Sequence, residues 1–462
     1  MKIVFLTPGT GSYYCGACMR DSTLARELHR AGHDTTVAPM YLPLVLEEPI
    51  PTVERAPIFF GGINVYLQQK LPLFRQTPAA IDRLLNAPGL LRWAARHSHM
   101  TSAREHGEMT LEMLNLEQSR FGKEWEKLAR WLAEEKPDLV CLSNALLAGF
   151  IPALQQRLRV PVVTFFQGED SFLDGLPEPY RTQCWTALAG RLGGADALLA
   201  PSRFYADFMR ERLGLAAGAI EVVPNGIRLE DYPSRAGSPD PAAAGTTVGS
   251  GEPALQPTIG YLARMNRDKG LQVLIEAFVF LAQRLGDSTT QLRIAGALTA
   301  GDEPFVREMQ QRVAAAGLAS RVRWTPNLTR EAKVELLRRL TVFSVPAVYA
   351  EAFGLYVIEA MACGVPVVQP AASAFPELID ATGGGICVAP RNPEALARGW
   401  QQLLGDPAGR ATLGRNARLG VEKHFSAGTM AAQFSRVAER VVGQVSAVPV
   451  GGAETRPAAR AR

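Results

Sequence analysis

Long apolar runs are missing from this chain: none of its 462 residues falls in a stretch reaching the roughly 18 uninterrupted apolar positions of a membrane-spanning helix. The opening "MKIVFLTPG" has one lysine and a short apolar run that turns at Pro8-Gly9. It lacks the apolar length and the cleavage site of a secretory signal, so a cytoplasmic location is expected. Cysteine is sparse. The six thiols, Cys15, Cys18, Cys141, Cys184, Cys363 and Cys387, are scattered through a large chain, which argues against a disulfide framework and for reduced thiols. There is no Asp-x-Asp, the six histidines form no metal-binding pattern, and none has the serine and aspartate companions of a hydrolase triad. The formal charge of +4 is too dilute over this length to call for a nucleic-acid partner.

With 47% hydrophobic and 20% charged residues, the chain can bury two domain-sized cores. Apolar, β-rich runs alternate with helix-period segments almost throughout. "KIVFLTP" precedes "RDSTLARELHRAG", "DLVCLSN" precedes "LLAGFIPALQQRL", and "VPVVTFF" and "ALLAPS" continue the series. A second series begins at "PTIGYLAR". Such alternation predicts an α/β protein with two doubly wound, Rossmann-like domains, which would leave a cleft at the carboxyl ends of their strands. The expected division is an N-terminal Rossmann-like domain over 1–233 and a linker over 234–257, where Pro, Gly, Ala and Ser dominate without periodicity. A C-terminal Rossmann-like domain over 258–424 follows. An amphipathic helix over 425–445 is expected to pack back on the first domain, ahead of a tail of disordered composition over 446–462. Tyr41 to Ser119 breaks the rhythm. It contains "LLNAPGLLRWAARHSH", which reads as a surface helix docked by its apolar stripe, with a membrane or acceptor contact as the alternative.

The most informative segment is "YAEAFGLYVIEAMACGVPVVQP". A helix is predicted to start near Gly354 and stop at Gly364, with Pro366 just beyond. The backbone amides of Phe353, Gly354 and Leu355 would then be free donors at a helix N-terminus, a ready place for phosphate. Glu351 stands before that start, and Glu359 stands ~7 Å along the axis at 1.5 Å per residue. Carboxylates are poor ligands for phosphate but suit sugar hydroxyls. Taken singly, each could equally be a cap acid or an ordinary helix residue. Arg264 and Lys269 fall on the loop after the strand "TIGYLA", at its carboxyl end, where two fixed cations can stabilise a departing diphosphate. Arg267 reads as a bystander.

Glu351 and Glu359, set in "EAFGLYVIEAMACGVPVV", resemble the E-x7-E signature of the retaining glycosyltransferases of family 4, which have the two-domain GT-B fold. "VVPNGI", "IGYLARMNRDKGLQVLIEAF", "FPELID", "GGGICVAP" and "NPEALARGW" resemble further family motifs, so the likeness covers nearly the whole chain outside Tyr41 to Ser119 and the linker. The resemblance implies a GT-B architecture in which the two domains face each other across a cleft, the N-terminal one on the acceptor side and the C-terminal one binding the nucleotide sugar, and metal-independent chemistry with no cofactor. It implies that Glu351 grips the donor sugar, Glu359 the ribose, and Arg264 and Lys269 the diphosphate. It also places Gly16 as a loop glycine that lets backbone approach the donor phosphates. Gly9, Gly11 and Gly16 are wrongly spaced for a dinucleotide fingerprint. Cys15 and Cys18 have redox-like spacing, but the rest of the chain is not thioredoxin-like and zinc would need two more ligands.

Many family members carry histidine at the strand end where this chain has Gln167. That residue can still donate a hydrogen bond, and Asp170 could orient an acceptor hydroxyl, with loop capping as the plain alternative for both. The implied function is transfer of a sugar from a nucleotide-diphosphate donor to a glycan, lipid-linked or small-molecule hydroxyl. Peripheral contact at the inner face of the membrane is compatible with a lipid-linked acceptor. The alternatives are a GT-B phosphorylase or sugar-nucleotide epimerase, a nucleotide- or thiol-dependent oxidoreductase, and a non-catalytic sugar-nucleotide binder.

Overall fold

The computed structural model describes residues 1–9, 16–43, 56–71, 103–234 and 256–446, with positions 73, 74, 77, 85 and 87. The thiol of Cys15, most of the basic segment Leu84 to His99, the linker over 235–255 and the tail beyond Ser446 lie outside the described residues. The chain divides into two compact units, one of Met1–Pro224 with Met430–Arg462, the other of Asn225–Thr429.

In the first unit, six parallel strands run β1 (Lys2–Thr7), β2 (Asp34–Pro39), β3 (Leu139–Leu142), β4 (Val162–Phe165), β5 (Ala197–Ala200) and β6 (Ile220–Val222), in spatial order β2-β1-β3-β4-β5-β6. Helices cover both faces of such a sheet, so its strands are apolar on both sides. Ile3, Val4, Phe5 and Leu6 are all fully buried. The helix Gly16–Arg30 follows β1 and turns Cys18, Asp21, Leu24, Ala25 and Leu28 inward at helical spacing. Gly32, at φ +90°, then reverses the chain.

The helix Ala427–Ser446 joins this unit from Met430 onward. Its buried residues Met430, Phe434, Val437 and Val441 recur one turn apart, and the Phe434 ring stacks on Phe165 at 5.7 Å and lies tilted against Phe5 at 5.9 Å. Within the irregular region after Tyr41, the described residues form the helices Gly62–Lys70 and Ala103–Leu114.

The second unit holds β7 (Thr258–Leu262), β8 (Gln291–Gly296), β9 (Val322–Pro326), β10 (Val342–Phe343), β11 (Val367–Pro370) and β12 (Gly385–Val388), in order β12-β11-β10-β7-β8-β9. From its own first strand the order is 3-2-1-4-5-6, the Rossmann arrangement. The chain's winding reverses between β7 and β10, where a doubly wound sheet opens a crevice at its carboxyl edge. Phe343 pairs Gly260 of β7 and Val367 of β11.

Candidate active site

Both loops at that reversal carry residues expected from the sequence. The loop after β7 runs through Arg264 and Lys269 to the helix Leu271–Gln283, and the segment after β10 leads through Glu351 to the helix Leu355–Ala362. The two are tied together by backbone: Val348 N donates to Asp268 O at 2.8 Å. Gly270 lies between Lys269 and the helix at φ +71°, where a Cβ would sit 1.8 Å from the carbonyl oxygen of Pro346. Only glycine fits that crossing.

Lys269 and Glu351 are thereby brought into contact. Lys269 Nζ donates to Glu351 Oε2 at 2.5 Å and to the Tyr349 hydroxyl at 2.5 Å. Tyr349 and Tyr356 each donate their hydroxyl to the same Oε2, at 2.8 and 2.6 Å. Glu351 is buried, which pushes its carboxyl upward. The Lys269 charge and the hydrogen bonds from Lys269, Tyr356 and Tyr349 outweigh that and hold it below the usual carboxylate range. Burial, with the Glu351 charge next to it, drives the Tyr356 hydroxyl well above its ordinary value, so it stays a donor.

Arg264 keeps a different partner. Its Nε and Nη2 fork onto the two oxygens of Asp302 at 2.8 and 3.2 Å, with the side chain about half exposed at 52%. Arg267, 64% exposed, pairs with Glu308 at the surface.

The helix does start at Gly354, which caps it at φ +94°. Cys363 closes its far end and Gly364 follows at φ +77°. Phe353 is a core residue, its ring 5.7 Å from that of Phe425, so only its backbone amide is available for a ligand. Leu355, half-buried, is the first residue of the helix.

Glu359 lies one helix turn further on, and the structure gives it partners of its own. Its Oε1 accepts from the Tyr232 hydroxyl at 2.6 Å and from Lys333 Nζ at 3.1 Å. The two carboxylates are thus built alike. In each, one oxygen is engaged by a lysine and by tyrosine, two hydroxyls at Glu351 and one at Glu359, while the other, Oε1 of Glu351 and Oε2 of Glu359, accepts no hydrogen bond among the described residues. Tyr349, Tyr356, Tyr232 and Lys333 were all missed by sequence reasoning. The tyrosines flanking Glu351 in "YAEAFGLY" were a usable signal; Lys333, in the helix Arg330–Arg338, reads as an ordinary solvated residue.

In the first unit, Gly16 is the first residue of the helix after β1. Gln167 follows β4, and its Nε2 is buried without a hydrogen-bond partner. Asp170 accepts from the Tyr205 hydroxyl at 2.6 Å, and burial raises its carboxyl above the usual range. The neighbouring Glu169 does the capping: it takes the amides of Gln167 at 2.8 Å, Gly168 at 3.1 Å and Ala145 at 2.9 Å, binding the turns after β3 and β4 together. Arg20 and Asp21, also unanticipated, form a fully buried pair at 2.8 Å. Arg20 lies 3.7 Å over the Phe165 ring and donates to the Ser143 carbonyl at 3.0 Å, while Asp21 accepts from Thr7 Oγ1 at 2.8 Å.

No group of three or more His, Cys, Asp and Glu that could hold a metal ion occurs among the described residues. No helix among them is long and apolar enough to cross a membrane. The Cys18 side chain is buried.

Comparison with known proteins bears on both units. The family described as "Glycosyl transferases group 1" matches residues 249–420, and that described as "Glycosyltransferase Family 4" matches residues 106–231. The D-inositol 3-phosphate glycosyltransferase of Nocardiopsis dassonvillei is 31% identical over 47% of this chain and 50% of that protein, so the chain spans about half the length of such curated relatives. The protein of the same name from Pseudarthrobacter chlorophenolicus is 28% identical over 84% of this chain and 94% of its own. Among solved structures, Anabaena HepE in complex with UDP and glucose superposes with a TM-score of 0.66 at 18% identity, covering 95% of this chain and 100% of that one. That likeness speaks for the fold, the GT-B pairing of two Rossmann-like sheets. Sheet order and the Glu351–Glu359 spacing agree with these matches, and the chain carries a glycosyl transferases group 1 domain and a glycosyltransferase family 4 domain.

Proposed function

We propose that this protein is a retaining glycosyltransferase that moves a sugar from a nucleotide-diphosphate donor to an acceptor hydroxyl. The observation that carries the reading is the pair of half-spent carboxylates around the helix that starts at Gly354. A sugar nucleotide offers hydroxyls at two places, on the hexose and on the ribose, with two negative phosphates between them. Glu351 Oε1 suits the hexose and Glu359 Oε2 the ribose. The amides of Phe353, Gly354 and Leu355 suit the phosphates, at the positive end of the helix dipole.

Lys269 and Arg264 supply the charge that the leaving diphosphate needs. Lys269 has three N–H groups and spends two, on Glu351 and Tyr349, leaving one for a phosphate oxygen. With that charge in place the reading requires no metal and no cofactor. The family chemistry it adopts breaks the bond from the anomeric carbon to the phosphate oxygen and forms the bond to the acceptor oxygen on the same face. The acceptor's proton passes to the departing phosphate, so no side-chain base is needed. On the first unit, Gln167, whose buried amide has unused donors, is assigned to the acceptor or the sugar, with Asp170 beside it and Gly16 on the donor side.

The relatives named for D-inositol 3-phosphate support a polyhydroxylated acceptor. Replacing Glu351 or Lys269 with alanine is expected to abolish release of nucleoside diphosphate in the presence of acceptor while circular dichroism stays native. Transfer at the wild-type rate in both variants would remove this site assignment. Retention is checked separately by the anomeric configuration of the product in proton NMR.

A further inference from the structure

Three donors converge on one oxygen of Glu351, and two of them are tyrosines to which the proposed transfer assigns no task. We infer that Tyr349 and Tyr356 are positioning residues that dedicate Glu351 Oε2 to the protein and reserve Oε1 for the donor sugar, a role that rests on the reading of Glu351 given above. A carboxylate oxygen offers about two lone-pair sites, so Lys269 Nζ at 2.5 Å, Tyr349 at 2.8 Å and Tyr356 at 2.6 Å fill it.

Both hydroxyls are aimed by a fixed frame. The Tyr356 ring packs between Phe343 and Phe375, with centroids at 6.3 and 6.5 Å, and the Tyr349 carbonyl accepts from Ser373 Oγ at 3.1 Å. The two rings also flank the Lys269 ammonium, at 4.8 and 5.1 Å from their centroids.

Without the hydroxyls, the ammonium would be the remaining strong donor near the carboxylate. Glu351 could then turn and present both oxygens to Lys269. That would withdraw Oε1 from the sugar, the N–H of Lys269 released from Tyr349 taking it up, while the third N–H stays with the phosphate. Tyrosine at these positions prevents the collapse by occupying Oε2 from two further directions. Tyr261 of β7 also feels the Glu351 charge; burial, with the Asp302 and Glu351 charges, keeps its hydroxyl protonated, and it donates to the Arg264 carbonyl at 2.8 Å.

The test uses the full chain and its Y349F, Y356F and Y349F/Y356F variants, with E351Q as control. Phenylalanine keeps the ring packing, and melting temperature verifies the fold. Calorimetry compares UDP-glucose, UDP-N-acetylglucosamine, GDP-mannose and ADP-glucose with their own nucleoside diphosphates, taking the pair that the wild type binds most tightly. The quantity read is the ratio of the two Kd values, which isolates the sugar contact.

The double variant is expected to lower the sugar's contribution about tenfold, as loss of hydrogen bonds to a charged group does, and each single variant about threefold. Nucleoside diphosphate affinity should hold within threefold. The deficit of the double variant should deepen between pH 7 and 5, because a carboxyl that loses donors to its charged form while staying buried takes up its proton at higher pH. Should the double variant not fold, the single variants carry the test. If E351Q loses the sugar contribution while the tyrosine variants keep the wild-type ratio and its pH profile, the inference is wrong and the reading of Glu351 stands. If E351Q itself leaves the ratio unchanged, Glu351 does not hold the sugar and both fall.

Discussion

Replacing Lys269 with methionine would test the core of the site without any knowledge of the substrate. The variant keeps the aliphatic stem and removes the ammonium, leaving Glu351 buried with only tyrosine hydroxyls as partners. The wild-type pair is at 2.5 Å, with side chains 20% and 10% exposed, so solvent can do little to rescue the orphaned charge. Breaking such a pair from one side costs about 3–5 kcal/mol, and the surviving hydroxyls favour the lower end, ~3 kcal/mol. For a unit of roughly 200 residues, each kcal/mol moves the midpoint by about 2–4 °C, so a drop of about 6–12 °C is expected at pH 7.

The pH dependence gives a second handle. In the wild type the folded Glu351 carboxyl is held below its unfolded value, so its contribution is full above the unfolded pKa and is lost as pH falls through the lower folded value. In K269M burial is no longer outweighed, the folded value rises above the unfolded one, and the penalty is present at neutral pH and relieved on acidification. The gap between variant and wild type should therefore be widest near pH 7 and narrow towards pH 5. K269M/E351Q should regain most of the loss at pH 7. Thermal unfolding followed by circular dichroism would read all three proteins. A K269M midpoint within 1 °C of wild type at pH 7, or a gap that widens on acidification, would refute the energetic account of the pair.

Three further changes probe the frame around it. Gly270→Ala puts a Cβ 1.8 Å from the Pro346 carbonyl oxygen at φ +71°, so both loops at the reversal must move; urea unfolding should show a loss above about 3 kcal/mol, the positive φ alone accounting for ~1–2 kcal/mol. Phe434→Ala empties the space between Phe5 and Phe165 and should cost about 3–5 kcal/mol in the same measurement. Arg264→Ala should separate stability from binding. Its half-exposed pair with Asp302 contributes at most about 1 kcal/mol to stability, while loss of a charged donor to the diphosphate should weaken nucleoside diphosphate binding about tenfold or more by calorimetry.

The fold was legible because parallel sheets bury both faces of their strands. "KIVFLT" and "LVCL" had to read as unbroken apolar runs, and the helices between them kept a helical period. Strand order was not legible. Nothing in the sequence of β3 states that it lies beside β1, because parallel neighbours are matched by burial and by crossover geometry, which many apolar runs satisfy alike. Arg20 and Asp21 show the limit of pattern reading most clearly. On the helix after β1 they occupy inward positions, where charged residues are seldom found. They are accommodated because each neutralises the other at 2.8 Å and because the guanidinium stacks on Phe165 and donates to the Ser143 carbonyl, residues more than 120 positions away along the chain.

The site divides along the same line. Glu351, Glu359 and the cations before the helix Leu271–Gln283 could be found because their spacing along one segment is itself the geometry: a helix start fixes where residues eight apart must lie. The Glu359 partners Lys333 and Tyr232 could not, because they reach that carboxylate from other elements, and neither could the contact that joins Lys269 to Glu351 across two loops. Those partners decide what the carboxylates can do. A buried acid left to itself takes up a proton and becomes a donor, useless for receiving the hydrogen bonds of sugar hydroxyls. For Glu351, the lysine that keeps it ionised would also compete for both its oxygens, so a third type of group, the tyrosine hydroxyl, is required to fix which oxygen the lysine holds. Glu351→Asp makes the point experimentally: it keeps the charge but withdraws the carboxylate by one methylene from hydroxyls held in a rigid frame. Nucleoside diphosphate affinity should survive, the sugar-dependent part of binding should fall as far as in E351Q, and full sugar affinity in the aspartate variant would show that charge alone, without the tyrosine geometry, is sufficient.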